Sequence, residues 1–99
     1  MRVAKMAEKF EHQINNNRFV CLINGSEAEL TYQKNGNQNY IFNHTFVPSS
    51  LRGMGVASKL SSFAFDEAQK SGWKVVPTCS YLTDTFLPKT GGKYDDILL

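Results

Sequence analysis

The sequence predicts an α+β fold: an antiparallel sheet extended by one parallel strand, with two helices. Three observations carry that reading. Alternating apolar and polar segments fill residues 8–47 and are separated by Asn-rich turns. Apolar residues then recur at helical spacing over residues 54–70. A short apolar strand follows at residues 73–76. With 99 residues in all, the chain is expected to form one domain, residues 1–99. A chain of this size buries roughly 65% of its unfolded surface in a single core.

Each element has a local cause. Phe10, His12 and Ile14 alternate with Glu11 and Gln13, which reads as a first strand. Asn15, Asn16 and Asn17 suit a turn, because Asn tolerates positive φ. Phe19, Cys21 and Ile23 make the second alternation, and Ala28, Leu30 and Tyr32 the third, with Asn24-Gly25 between them. Two alternating runs joined by Asn-Gly are the sequence signal of a hairpin. Asn35-Gly36 leads into a fourth run, Tyr40 to Val47, rich in aromatic and β-branched residues. Alternation across this run puts His44 on the same face as Phe42 and Phe46.

Pro48 closes the strand pattern. Val56, Leu60, Phe63, Ala64 and Ala68 then lie on one helical face, and Ser71-Gly72 marks the stop. A strand at Trp73–Val76, reached through a helix, implies a parallel pair with a right-handed crossover. Residues 79–87 suit a second short helix ended by Pro88 and Gly91-Gly92. The tail Tyr94 to Leu99 has apolar residues suited to docking back on the core. Phe63, Phe65, Trp73 and Cys21 are read as packing residues, and His12 is given no role.

Composition excludes several functions. Eleven basic and nine acidic residues give a net charge of +2. The charge is spread evenly along the chain, so no basic stripe offers a nucleic-acid footprint. No run of about 18 apolar residues exists to span a membrane. Cys21 and Cys79 fit no zinc or redox spacing, and no metal set is expected. The opening MRVAKMAEKF lacks the apolar core of a leader, so the expected compartment is the cytoplasm, with thiols reduced. Asn24-Gly25-Ser26 and Asn43-His44-Thr45 are then chance matches to the glycosylation pattern. Asp66-Glu67 and Asp95-Asp96 are sequence neighbours and form no facing carboxylate pair.

The informative stretch is Val47-Pro48-Ser49-Ser50-Leu51-Arg52-Gly53-Met54-Gly55-Val56-Ala57. Gly53 and Gly55 permit a tight turn and close backbone approach to a ligand. The first amides of the following helix have no intrahelical partner and point outward at the positive end of the dipole. Together with Arg52 they suit a phosphate or pyrophosphate. A P-loop would need Gly-Lys-Ser/Thr, but Val56-Ala57 follow Gly55. The dinucleotide fingerprint would need Gly at Ser58. An ordinary tight turn into a helix would leave the same glycine pair.

Arg52-Gly53-Met54-Gly55-Val56-Ala57 resembles the R/Q-x-x-G-x-G/A loop of the GNAT N-acetyltransferase superfamily. Asn43-His44-Thr45-Phe46-Val47-Pro48, Leu51-Arg52-Gly53 and Lys74-Val75-Val76-Pro77-Thr78-Cys79, in that order, resemble its small YjdJ-type branch. The resemblance runs from about Arg18 to Ile97. It implies a minimal acetyl-CoA-binding fold in which the fourth and fifth strands splay and admit the pantetheine arm. Main-chain groups around Phe46 and Val47 would pair with that arm. The amides of Gly53, Met54, Gly55, Val56 and Ala57, with Arg52, would hold the pyrophosphate. The branch lacks the substrate-binding elements of larger relatives.

The implied function is acetyl transfer from acetyl-CoA to an unidentified amine acceptor, either directly or through Cys79. The alternative is a non-catalytic CoA-binding or protein-interaction module. His44 suits the base, since histidine changes charge near neutral pH, and a structural histidine is the competing reading. Cys79 either accepts the acetyl group or lines the acyl pocket. The chain departs from the family pattern after Cys79. Ser80-Tyr81 stand where Pro-Phe is usual, and Thr85 stands where a Tyr would protonate the leaving thiolate. Tyr81 is the other candidate for that proton, with core packing as the competing reading. Lys89 and Lys93 suit cofactor phosphates or plain solvated surface. A monomer or weak dimer is expected.

Overall fold

A computed structural model describes residues 7–99. Residues 1–6, which include most of the segment read for a leader, lie outside them. Strand β1 (Glu8–Gln13) pairs antiparallel with β2 (Arg18–Ile23), β2 with β3 (Ser26–Lys34), and β3 with β4 (Asn39–Phe46). Strand β5 (Lys74–Pro77) joins β4 in parallel, giving a five-stranded sheet in the order β1-β2-β3-β4-β5. The single long helix, α1 (Val56–Ser71), is the crossover between β4 and β5. The predicted meander and parallel addition are both present.

The turns follow from their residues. Asn24 and Gly25 have φ of 49° and 79° between the paired Ile23 and Ser26, the two positive φ values of a two-residue hairpin that matches strand twist. Helix α1 ends in a left-handed Gly72 at φ 72°. The Gly72 amide donates to Gln69 O at 3.3 Å, and the Trp73 amide to Ala68 O at 3.0 Å. This pair of bonds satisfies the last carbonyls and stops the helix.

One face of the sheet carries the core. Phe19, Cys21, Leu30 and Phe42 from the strands meet Leu60, Ala64, Phe65 and Ala68 of α1, all of them fully buried. Cys21 is thus a small apolar filler, and both cysteines are free thiols. Phe63 packs against Phe10, and Trp73 stacks on Tyr40 with ring centroids 3.6 Å apart. His12 stacks on Phe19 and hydrogen-bonds the Tyr32 hydroxyl at 2.7 Å. The opposite face is crossed by ion pairs, with Arg18 bonded to Glu27 at 2.7 Å and Glu29 at 2.8 Å.

Two details differ from the sequence reading. The alternation of β4 breaks at Asn43. Phe42 pairs with Tyr32 and His44 with the adjacent Thr31, so Asn43 is an extra, bulged residue. A one-residue insertion exchanges the two faces of everything after it. His44 and Phe46 therefore lie on the face of Thr31 and Glu29, opposite Phe42, while Thr45 pairs with Leu30 and turns to the helix side.

The second difference is at the C-terminal helix. A π-helical turn, Tyr81–Phe86, passes directly into a 3-10 turn, Leu87–Thr90, and Pro88 lies inside the segment. Proline needs no amide partner at the start of a new turn. The left-handed Gly91, at φ 65°, ends the segment as expected; Pro88 does not. The tail docks as expected. Tyr94 and Ile97 are buried, and the Leu99 amide donates to Val75 O at 3.0 Å.

Candidate acetyl-CoA cleft

The site begins where β4 and β5 part. Their pairing runs from Asn39 and Lys74 to Phe42 and Pro77. The amides of Thr78 and Cys79 both reach Phe42 O, at 3.0 and 3.4 Å, and the chain then turns away into Tyr81–Phe86. Residues 43–46 of β4 pair with β3 alone. Their other edge is open to an extended ligand that hydrogen-bonds like an added strand.

The loop from β4 to α1 lies beside this edge. Ser49–Leu51 form a 3-10 turn whose Leu51 is buried in the core. Arg52 is extended and exposed, and its Nε donates to Val47 O at 3.3 Å. Gly55 stands at the N-cap of α1 with φ 73° and ψ 17°, and no side chain caps the helix. The first intrahelical bond of this turn runs from the Lys59 amide to Gly55 O at 3.1 Å. The amides of Val56, Ala57 and Ser58 therefore precede the hydrogen-bonded ladder. No acidic residue stands in that first turn to oppose an anion. A Cβ on Gly53 or Gly55 would meet nothing within 4 Å, so the space in front of both is open.

Two concavities follow this loop. The first, about 200 Å³, is lined by Val47, Leu51, Arg52, Gly53, Gly55, Val56, Ala57, Ser58 and Tyr81. The second, about 270 Å³, shares Ser58 and Tyr81 with it and continues past Ser62, Thr85, Lys89 and Lys93 to Tyr94. An uncapped 16-residue helix, an exposed arginine, open glycines and a free strand edge together fit a long anionic cofactor such as acetyl-CoA.

Most of the loop residues singled out in the sequence line this cleft, and Val56 offers only its amide, its side chain being 2% exposed. Met54 is not among the lining residues. Phe46 is 46% exposed on the opposite face of β4. His44 is exposed on that same face, away from Cys79. Cys79 is partly buried, with Sγ 3.5 Å from Thr45 Oγ1. Burial pushes this thiol up, but its bonds from the Thr45 hydroxyl and from the amides of Leu82, Tyr81 and Thr45 outweigh that and hold it below its ordinary range. Burial pushes the Tyr81 phenol up, and the nearby Cys79 adds to the shift. Tyr81 thus keeps its proton at neutral pH.

Sequence reasoning overlooked Ser58, Ser62 and Thr45. The two serines are four residues apart and flank the apolar stripe of α1, which was the available signal. Thr45 stands in the Asn43–Pro48 run that carries the family resemblance, but its direction toward Cys79 depends on the bulge.

A family model described as GCN5-related N-acetyl-transferase matches residues 18–97. Protein NATD1 of Homo sapiens is 32% identical over 76 residues, covering 75% of this chain and 67% of that protein. Protein NATD1 of Xenopus tropicalis is likewise 32% identical over 76 residues, covering 70% of its length. A solution structure of a GCN5-like protein from Staphylococcus aureus superposes with a TM-score of 0.65 at 26% identity, covering 92% of this chain and 87% of its own. The loop, the splayed strands and these relatives agree: the chain belongs to the GCN5-related N-acetyltransferase family, and acetyl transfer is its class of reaction.

Proposed function

We propose that this protein transfers the acetyl group of acetyl-CoA to an amine by way of Cys79. The observation that carries the reading is the thiol at the point where β4 and β5 part, beside the open strand edge, with hydrogen bonds from its surroundings that lower its pKa. The amides at the start of α1, with Gly53 to Ala57 and Arg52, bind the pyrophosphate. The open edge of β4 near Phe46 and Val47 holds the pantetheine arm. Lys89 and Lys93, at the far end of the second concavity, face the remaining phosphate.

Acetyl-CoA, when bound, supplies the acyl group as an activated thioester. Cys79 takes the acetyl group onto Sγ as the original carbon–sulfur bond breaks, and Tyr81 gives its hydroxyl proton to the departing sulfur. Tyr81 fills this role because Thr85 has no acidic phenol to offer. The amine then attacks the acyl-cysteine, its proton passes to the Tyr81 phenolate, and Cys79 is released as thiolate.

Intact-mass analysis after incubation with acetyl-CoA, beside calorimetric titration, tests the proposal. It expects binding, release of CoA thiol and an adduct of about 42 Da on Cys79 that an added amine removes. Amine acetylation that persists in Cys79→Ala would show direct transfer instead. Binding with no thiol released, across a broad set of amines, would identify a CoA-binding module and overturn the enzymatic reading.

A further inference from the structure

We propose that Thr45 is a positioning residue for Cys79, orienting the sulfur at the splay through a side chain that the Asn43 bulge turns inward. The proposal rests on the thiol route above and deepens it. Without the bulge, strict alternation from Phe42 would put His44 on the helix side and Thr45 outside. With it, Thr45 pairs with Leu30 on the helix side, and its Oγ1 lies 3.5 Å from Sγ. That contact is the hydroxyl's only side-chain hydrogen bond among the described residues. The backbone of Cys79 is tied to the same strand, its amide donating to Phe42 O at 3.4 Å. Strand β4 therefore fixes the nucleophile at two points on either side of the bulge, one through the main chain and one through a hydroxyl.

The surroundings leave this work to dipoles. The Tyr81–Phe86 turn carries two titratable groups: Tyr81, which is neutral at physiological pH, and Asp84, which is exposed and bonded to the Thr83 hydroxyl. The concavity that Tyr81 lines also receives the uncharged Ser58 and Ser62 from α1, with Lys89 and Lys93 on its wall. His44 points to the other face of β4. No cation contributes to holding the thiol down; the Thr45 hydroxyl and the nearby amides do so. A β-branched threonine in a strand is stiff at χ1, so the hydroxyl stays aimed at the sulfur.

The test is the pH dependence of Cys79 alkylation by iodoacetamide, followed by mass spectrometry on the full chain without acetyl-CoA. Buried Cys21 serves as the internal reference for unfolding. Thr45→Val keeps the β-branched shape and removes the hydroxyl; Thr45→Ser keeps the hydroxyl. The expected result is a titration midpoint raised in Thr45→Val, with alkylation at pH 7 slowed by about three- to tenfold. Thr45→Ser should remain close to the parent. An unchanged midpoint in Thr45→Val, or equal shifts in both variants, overturns the role of Thr45 whether or not the acetyl adduct forms. A shifted midpoint with no acetyl adduct on parent Cys79 leaves the positioning intact and overturns the thiol route instead.

Discussion

Replacing Arg52 by alanine should weaken CoA binding by about tenfold while leaving the fold intact. The two halves of this statement come from the same geometry. Arg52 is exposed, and its one side-chain hydrogen bond among the described residues goes to Val47 O at 3.3 Å. A surface change of this kind shifts stability by at most about 0.5 kcal/mol, or roughly 2–4 °C in the thermal midpoint of a chain this size. In the bound state the guanidinium would face a pyrophosphate already held by helix amides. A charge-assisted contact contributes roughly 1.5–3 kcal/mol, and about 1.4 kcal/mol is a factor of ten. Because Arg52 stands in water, screening favours the lower end of that range. Calorimetric titration with CoA at two salt concentrations measures it. Arg52→Lys should recover part of the affinity, since it restores the charge without the planar fork. Unchanged affinity in Arg52→Ala would remove this residue from the phosphate site, and a large fall in thermal midpoint would show that it works through the fold.

Two other perturbations probe the frame around the site. Gly55→Ala forces a side chain into the left-handed region at φ 73° with no steric contact, so the cost is conformational, about 1 kcal/mol or 4–8 °C. The same methyl group would stand before the helix amides, so CoA binding measured by calorimetry should fall as well; retained affinity would argue that the ligand does not approach there. His12 is pushed down by burial, with Glu67 acting weakly the other way. A group with a depressed pKa in the fold contributes stability above its unfolded pKa and loses it as pH falls through the folded value. Thermal midpoints should therefore drop as pH falls below about 6.5. His12→Phe, which keeps the stack on Phe19, should flatten that part of the profile, and an equally steep profile would assign the loss to other groups.

Much of this molecule is legible in short windows of sequence. The hairpin at Asn24-Gly25 and the stop at Gly72 depend on residues that accept positive φ, a property of the residue itself. The apolar stripe of α1 repeats at the helical period, so its buried face follows from spacing alone. The phosphate-binding role proposed for residues 52–57 is equally local, because uncapped amides and left-handed glycines lie within one turn of chain.

The chemistry at the splay is not local in this sense. Alternation in β4 assigns His44 to the inner face, and the assignment fails because Asn43 bulges, a choice made by pairing with β3. One extra residue exchanges His44 for Thr45 on the helix side and so decides which side chain meets Cys79. The helix after Cys79 passes Pro88 for a similar reason. Its backbone switches from π to 3-10 turns as Leu82 and Phe86 bury against the core, and the proline meets no broken bond. Sequence by itself determined the family fold, the loop and the presence of a thiol near the end of β5. The tertiary structure decided which groups surround that thiol, because the face a strand residue occupies is set by register with its neighbour rather than by its own identity.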